Sequence, residues 1–152
     1  MSTNQMNDEE YFRRLVEYRN SGVNFFAKYT NIDITEIGLG YAKGNIQLQQ
    51  HHGNPIGSVH GGCTFSLADS VGGAAAVSRR RAVTTVSSSI NYVNAAMMQR
   101  TTALYAEANE IKAGKSTCVY RVDVYDDKGT LVATATNTYF YLKGQIELPG
   151  AD

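Results

Sequence analysis

In a chain of 152 residues, the densest gathering of groups that could do chemistry lies between Asn54 and Asp69. Asn54, Gly57, His60, Gly61 and Gly62 open this stretch, and Asp69 sits within a run of small and apolar residues that continues to Val77. An ionisable side chain in such a run is costly to bury without compensation. If the run is a helix, Gly61 and Gly62 stand at its N-terminus, where backbone N–H groups lack intrahelical partners and favour negative charge. A helix start of this kind can stabilise a developing oxyanion, and a nearby carboxylate can act as base or nucleophile. Gly72 and Gly73 would lie one helical turn beyond Asp69, making room beside it for close packing or for a ligand. Plainer readings stand beside these: Asp69 facing solvent or capping a backbone group, His60 only orienting the loop, and glycines placed for steric reasons.

Other chemistries fit less well. His51 and His52 read as loop surface, and no set of His, Cys and carboxylates has metal-ligand spacing. There is no G-x-S-x-G elbow and no phosphate-binding G-x-x-x-x-G-K-[ST] loop. Cys63 and Cys118 are far apart and read as buried free thiols in a reducing compartment. Lys plus Arg and Asp plus Glu each number 14, so net charge gives no case for a nucleic acid or an anionic membrane as partner. The N-terminus lacks the basic-then-apolar pattern of a secretory signal, and no apolar run is long enough to span a membrane. The cytoplasm is the expected location.

The elements that must position these residues follow from periodicity. One domain is expected over 1–152. Residues 1–7 read as loose, and residues 8–20 as an amphipathic helix with Tyr11, Leu15 and Tyr18 on one face. Val23 to Tyr29 reads as a short helix or turn. Ile32 to Gln50 reads as strands broken at Gly38 and Gly40, with Ala42, Gly44, Ile46 and Leu48 on one face. After the apolar helix and Arg79, Arg80 and Arg81 come four strands: 83–93, 102–112, 116–125 and 130–142. Asp126 to Gly129 forms the last hairpin turn, and 143–152 is a polar tail. Consecutive strands with short connections make an antiparallel sheet, so the order of helix, strands, apolar helix and strands gives an α+β fold, an antiparallel sheet wrapped around one long central helix.

The pattern N-x-x-G-x-x-H-G-G-x-x-x-x-L-x-D, from Asn54 to Asp69, resembles the motif of hotdog-fold acyl-CoA thioesterases of the phenylacetate-degradation (PaaI-like) type. The likeness extends to Ser87–Ala96, to Ala113–Lys115 and to the final hairpin, covering about residues 30–142. It implies a hotdog fold and hydrolysis of an acyl- or aryl-CoA. Asp69 would be the catalytic carboxylate and the Gly61 N–H the oxyanion donor. Asn54 would help place the thioester or the water, and His60 would orient the loop or the thioester. Thr85, with Ser87 next, would assist the water. Gly62, Lys112, Gly114, Lys115 and Arg81 are the candidates for contacts with CoA, although the arginine run also suits a solvated helix C-terminus. The likeness further implies no metal and no cofactor, CoA being part of the substrate. It implies a homodimer or homotetramer with each active site between subunits. A hotdog hydratase or dehydratase, or a non-catalytic acyl-CoA-binding domain, are the alternatives; the presence of Asp69 speaks against the second.

Overall fold

The computed structural model describes residues 6–149. Helix α1 (Asp8–Arg19) starts where the Asn7 side chain accepts the Glu10 N–H at 2.9 Å, with Asp8, Glu9 and Glu10 in the first turn. It buries Tyr11 and Leu15, and the Tyr11 hydroxyl donates to the Val77 carbonyl at 2.9 Å. A short helix α2 (Phe25–Tyr29) leads into β1 (Ile32–Gly38) and β2 (Tyr41–Gln47). These strands are joined at Gly40, whose φ of 69° is one that glycine adopts without strain. A 3-10 turn (Gln50–His52) and a loop precede α3 (Gly61–Val77), followed by β3 (Val83–Tyr92), β4 (Ala103–Ala113), β5 (Thr117–Asp126) and β6 (Leu131–Tyr141).

The six strands form one antiparallel sheet in the order β1-β2-β4-β5-β6-β3, with α3 packed against it. This is the hotdog arrangement. The expected alternation holds on the helix side: Ala42, Gly44 and Ile46, then Leu104, Ala106 and Ala108, then Cys118, Tyr120, Val122 and Val124 are buried. At Gly44 a Cβ would stand 2.7 Å from the Asp33 carbonyl oxygen and 2.8 Å from Val71 Cγ2, so α3 rests directly on this strand. No helix among the described residues is long and apolar enough to cross a membrane.

Four sequence expectations change. The four later strands are not a simple meander, because β3 pairs with β6 at the far edge and the chain crosses back through 93–102 to β4. That connection is too long for a hairpin, and its backbone pins the loop ahead of α3. Met6 is buried in the segment read as loose, while residues 1–5 lie outside the described residues. Leu148 is buried and Ile146 packs on the core, so these two residues anchor the segment after β6, as far as residue 149. Cys118 is a buried free thiol as expected, whereas Cys63 is a half-buried one.

Candidate active site

The loop before α3 is a closed backbone structure. Asn54 Oδ1 accepts the N–H groups of Ile56 at 3.1 Å and Ser58 at 3.0 Å, and its Nδ2 donates to Ser58 Oγ at 2.8 Å. Gly57, at φ 85°, makes the turn. The Val59 N–H donates to the Ala96 carbonyl at 2.8 Å and the Met98 N–H to the Gly57 carbonyl at 2.9 Å, which ties the loop to the crossing segment. Asn54 is thus engaged in building its own loop.

His60 caps α3: its Nδ1 accepts the Gly62 N–H at 2.9 Å. The Gly62 donor is therefore already taken. The Gly61 N–H, by contrast, donates to no group among the described residues. Tyr92 closes one side of it, its hydroxyl donating to the Gly61 carbonyl at 3.0 Å. A cleft of about 300 Å³ opens here, lined by Asn54, Gly61, Thr64, Tyr92 and Val132 among others. A free N–H at a helix start beside a cleft can receive a developing negative charge.

His52 is not on the surface. It is 4% exposed, with Nδ1 accepting the Gln49 N–H at 2.9 Å and Nε2 lying 3.0 Å from the Thr30 carbonyl oxygen. Its own carbonyl accepts the His60 N–H at 2.8 Å, so it is a strut beneath the motif loop. Its alternation with exposed His51 gave no hint of this long-range contact.

Asp69 lies partly exposed on α3, two turns beyond Gly61. Thr85 Oγ1 donates to Asp69 Oδ1 at 2.9 Å. The Tyr139 hydroxyl donates to the Asp69 carbonyl oxygen at 3.0 Å and lies 3.4 Å from Oδ1. Asn137 Nδ2 reaches both the Tyr139 hydroxyl at 3.1 Å and the Ala68 carbonyl at 3.3 Å, and Ser88 donates to Asn137 Oδ1. Burial first, then the Asp69 carboxylate, pushes the Tyr139 phenol up from its ordinary value, so it remains a donor. The β-bulge between Thr85 and Ser87 explains which hydroxyl is used. Without it Thr85 and Ser87 would share a face; with it Thr85 and Ser88 make the contacts towards the helix, opposite Tyr139 and Asn137, and Ser87 pairs with Thr138 on the alternate register.

The gap left by the helix glycines is not open to a ligand. A Cβ at Gly72 would stand 2.3 Å from the Tyr139 hydroxyl, and one at Gly73 would stand 3.5 Å from Arg19 Nη2. Close packing is the reading that holds. Val71, between Asp69 and these glycines, is fully buried core.

Arg81 and Lys115 come together: Arg81 Nη1 donates to the Lys115 carbonyl at 3.0 Å, and its guanidinium stacks 3.9 Å from the Tyr141 ring. Lys112, Gly114 and Lys115 are all exposed at the β4–β5 hairpin. The other two arginines are structural. Arg79 makes a two-pronged contact with Glu110, both bonds at 2.7 Å, and Arg80 binds Asp8 at 2.8 Å while stacking on Tyr11. The Arg79 hydrogen bond is the largest influence holding the Glu110 carboxyl below its usual range. Among the described residues, no group of three or more His, Cys, Asp or Glu side chains is placed to hold a metal ion.

Tyr139, Asn137, Arg19 and Tyr92 did not emerge from the sequence as site residues. A polar pair at Asn137 and Tyr139, continuing the inward alternation of Ala133 and Ala135, was the available signal. Arg19 carried none, since a basic residue in the last turn of a helix is ordinary.

Gly61 and Asp69 are separated by eight helical steps, about 12 Å along the axis, and Asp69 lines neither the Gly61 cleft nor the larger one of about 650 Å³ across the loop. One thioester cannot touch both groups within a single chain.

Residues 56–133 match the model of the thioesterase superfamily. A protein of Archaeoglobus fulgidus, provisionally named an esterase, is 34% identical over 107 residues, 70% of this chain and 68% of that one. The PaaI protein of the Escherichia coli phenylacetic acid degradation operon superposes with a TM-score of 0.77 at 26% identity, covering 86% of this chain and 91% of its own. A hypothetical thioesterase of Streptococcus pneumoniae, solved with coenzyme A, gives 0.74 at 29% identity, covering 82% and 96%. That protein has also been solved with a single Asp→Ala and with a single Thr→Ala substitution, sixteen positions apart.

Proposed function

This chain belongs to the thioesterase superfamily and is a thioester hydrolase, and we propose that it cleaves an acyl- or aryl-CoA to the free acid and coenzyme A. The observation that carries this reading is the Thr85–Asp69 contact, a hydroxyl and a carboxylate joined at 2.9 Å across sixteen positions. The S. pneumoniae thioesterase was altered at an Asp and a Thr with the same spacing.

In the proposed mechanism the Gly61 N–H receives the thioester oxygen as the carbonyl is attacked. Asp69 delivers the attack, as base for a water held by Thr85 or as the nucleophile itself. Collapse of the tetrahedral adduct breaks the C–S bond, and the thiolate of CoA leaves and takes up the proton drawn from the water. Where Asp69 itself attacks, a water then cleaves the acyl–aspartate anhydride, giving the free acid and restoring the carboxylate. His60 acts through the loop, by capping α3. Asn54 holds the loop and keeps one amide N–H for the thioester or water. Gly62 contributes the close backbone approach, its N–H being occupied. Lys112, Gly114, Lys115 and Arg81 meet the CoA phosphates. No metal or separate cofactor takes part.

The 12 Å separation supports a composite site, with Asp69 facing the Gly61 loop of a second copy. Edge strand β3 supports the same assembly, a dimer or a tetramer. Among the described residues its backbone pairs with one strand, β6; it carries no charged residue and exposes Val86 and Tyr92.

The test is Asp69→Asn assayed against a panel of aryl-, phenylacetyl- and medium-chain acyl-CoA esters. Hydrolysis of the preferred ester is expected to fall about 100- to 10,000-fold with the assembly unchanged by light scattering. Full turnover by the variant would remove Asp69 from the mechanism. Tight acyl-CoA binding without turnover by the unaltered protein would favour the binding-domain reading instead.

A further inference from the structure

Helix α1 lies outside the segment that matches the family model, yet its last residue reaches the turn that carries Asp69. Arg19 Nη2 donates to the Ser70 carbonyl at 3.0 Å. Its Nε is buried without a hydrogen-bond partner. A Cβ placed at Gly73 would have Arg19 Nη2 at 3.5 Å and Tyr139 Cε1 at 3.8 Å, so the guanidinium and the phenol lie against the same helix position. The Tyr139 hydroxyl in turn bonds to Asp69.

Among the described residues, Arg19 makes no ion pair within 4 Å. A desolvated guanidinium without a paired carboxylate is unusual, because the charge must be compensated. Burial pulls Arg19 below its ordinary value, while Tyr139, Asp69 and Tyr18 act in the opposite sense. Asp69 is the one carboxylate in that set. The other groups packed on Asp69, Thr85 from β3 and Tyr139 from β6, are neutral donors.

We propose that Arg19 is a positioning residue for thioester hydrolysis, fixing the Asp69 turn through the Ser70 carbonyl and supplying the buried positive charge that stabilises the Asp69 carboxylate. The inference rests on the catalytic reading of Asp69. It makes α1 part of the catalytic apparatus rather than a cover for the sheet. When substrate excludes water from the site, electrostatic interactions strengthen, and this charge matters most at the moment of attack.

The experiment compares Arg19→Lys with Arg19→Gln. Both side chains can donate to the Ser70 carbonyl, and only the first is charged. Arg19→Gln is expected to lower kcat about tenfold or more with KM within about twofold, since the loss falls on the reacting carboxylate and not on CoA binding. Arg19→Lys is expected to recover most of kcat. Millimolar guanidinium is expected to raise the turnover of Arg19→Gln and not that of Asp69→Asn. Equal kcat in the two Arg19 variants, or a kcat loss that follows the thermal midpoint in both, would overturn the proposal. If Asp69→Asn abolishes hydrolysis while Arg19→Gln leaves it intact, only the Arg19 assignment fails. If Asp69→Asn retains hydrolysis, the catalytic reading fails first.

Discussion

The Asn54–Gly61 loop and the Asp69–Gly73 turn stand on one helix and are built in opposite ways. The loop is closed largely by neighbours in sequence. Asn54 binds groups two and four residues on, and His60 caps a residue two positions away. The turn is closed by residues from far along the chain: Thr85 sixteen positions away, Arg19 fifty-one from Ser70, and Tyr139 seventy from Asp69. A local structure needs particular residue types at fixed spacing and so leaves a motif. A tertiary structure needs only that a side chain arrive. The loop presents a backbone donor towards a cleft, and the turn holds a side-chain carboxylate under three elements.

If that contrast is right, the adjacent glycines of the turn will respond to alanine in opposite directions. Gly72→Ala places a Cβ 2.3 Å from the Tyr139 hydroxyl and 3.1 Å from Asn137 Nδ2, and Tyr139 is only 1% exposed. With a contact this short, overpacking towards the upper end of the usual range, about 3 kcal/mol, exceeds the helix-propensity gain of roughly 1 kcal/mol, so a net loss of up to about 2 kcal/mol is expected. Turnover is expected to fall by about tenfold or more as Tyr139 is displaced from Asp69. Gly73→Ala meets Arg19 Nη2 at 3.5 Å, an ordinary contact, and should gain up to about 1 kcal/mol. Thermal melts and acyl-CoA turnover read both variants. Two alanine variants of equal stability would mean that Tyr139 does not depend on Gly72.

A smaller effect separates capping from substrate contact in the loop. His60→Ala removes the side chain that accepts the Gly62 N–H and is expected to cost about 1 kcal/mol. His60→Asn retains an acceptor suited to that position, so it should recover most of the stability. If His60 acts only through the cap, activity recovers with it. A stable His60→Asn protein that does not hydrolyse would place the imidazole on the thioester.

The same contrast decides what could be read from sequence. The central helix and the inward alternation of β2, β4 and β5 were legible, since each is a repeating pattern, and the hotdog fold followed from the resemblance carried by the Asn54–Asp69 motif. Thr85 was found beside Asp69, but Ser87 could not be separated from Ser88, because a bulge at Val86 shifts the face and nothing in a Thr-Ser-rich strand announces it. The place of β3 at the far edge was missed for a related reason. Chain order suggested a neighbour, and the 93–102 crossing shows itself only as a connection too long for a hairpin. Gly72 and Gly73 were rightly singled out, yet the sequence could not say that Tyr139 and Arg19 occupy the space.

His52 is where the contrast is weakest, and there the smallest effect is expected. The loop looks local, but this histidine ties it to the end of α2. Its Nδ1 accepts the Gln49 N–H, so the neutral ring carries its proton on Nε2, which donates to the Thr30 carbonyl. Burial first, then neighbouring His51, lowers the His52 value. The unfolded chain keeps a value of about 6.5, so between the two values it binds more protons than the folded protein. Stability from this group is therefore present in full above about pH 6.5 and declines as pH falls towards and through the lowered folded value. Protonation would also set an Nδ1–H against the Gln49 N–H. Thermal midpoints taken from pH 7.5 down to 5.5 should fall more steeply for the unaltered protein than for His52→Gln, which starts lower and responds less. Parallel curves would show that the strut bears no proton-linked load and that the loop stands on its local bonds alone.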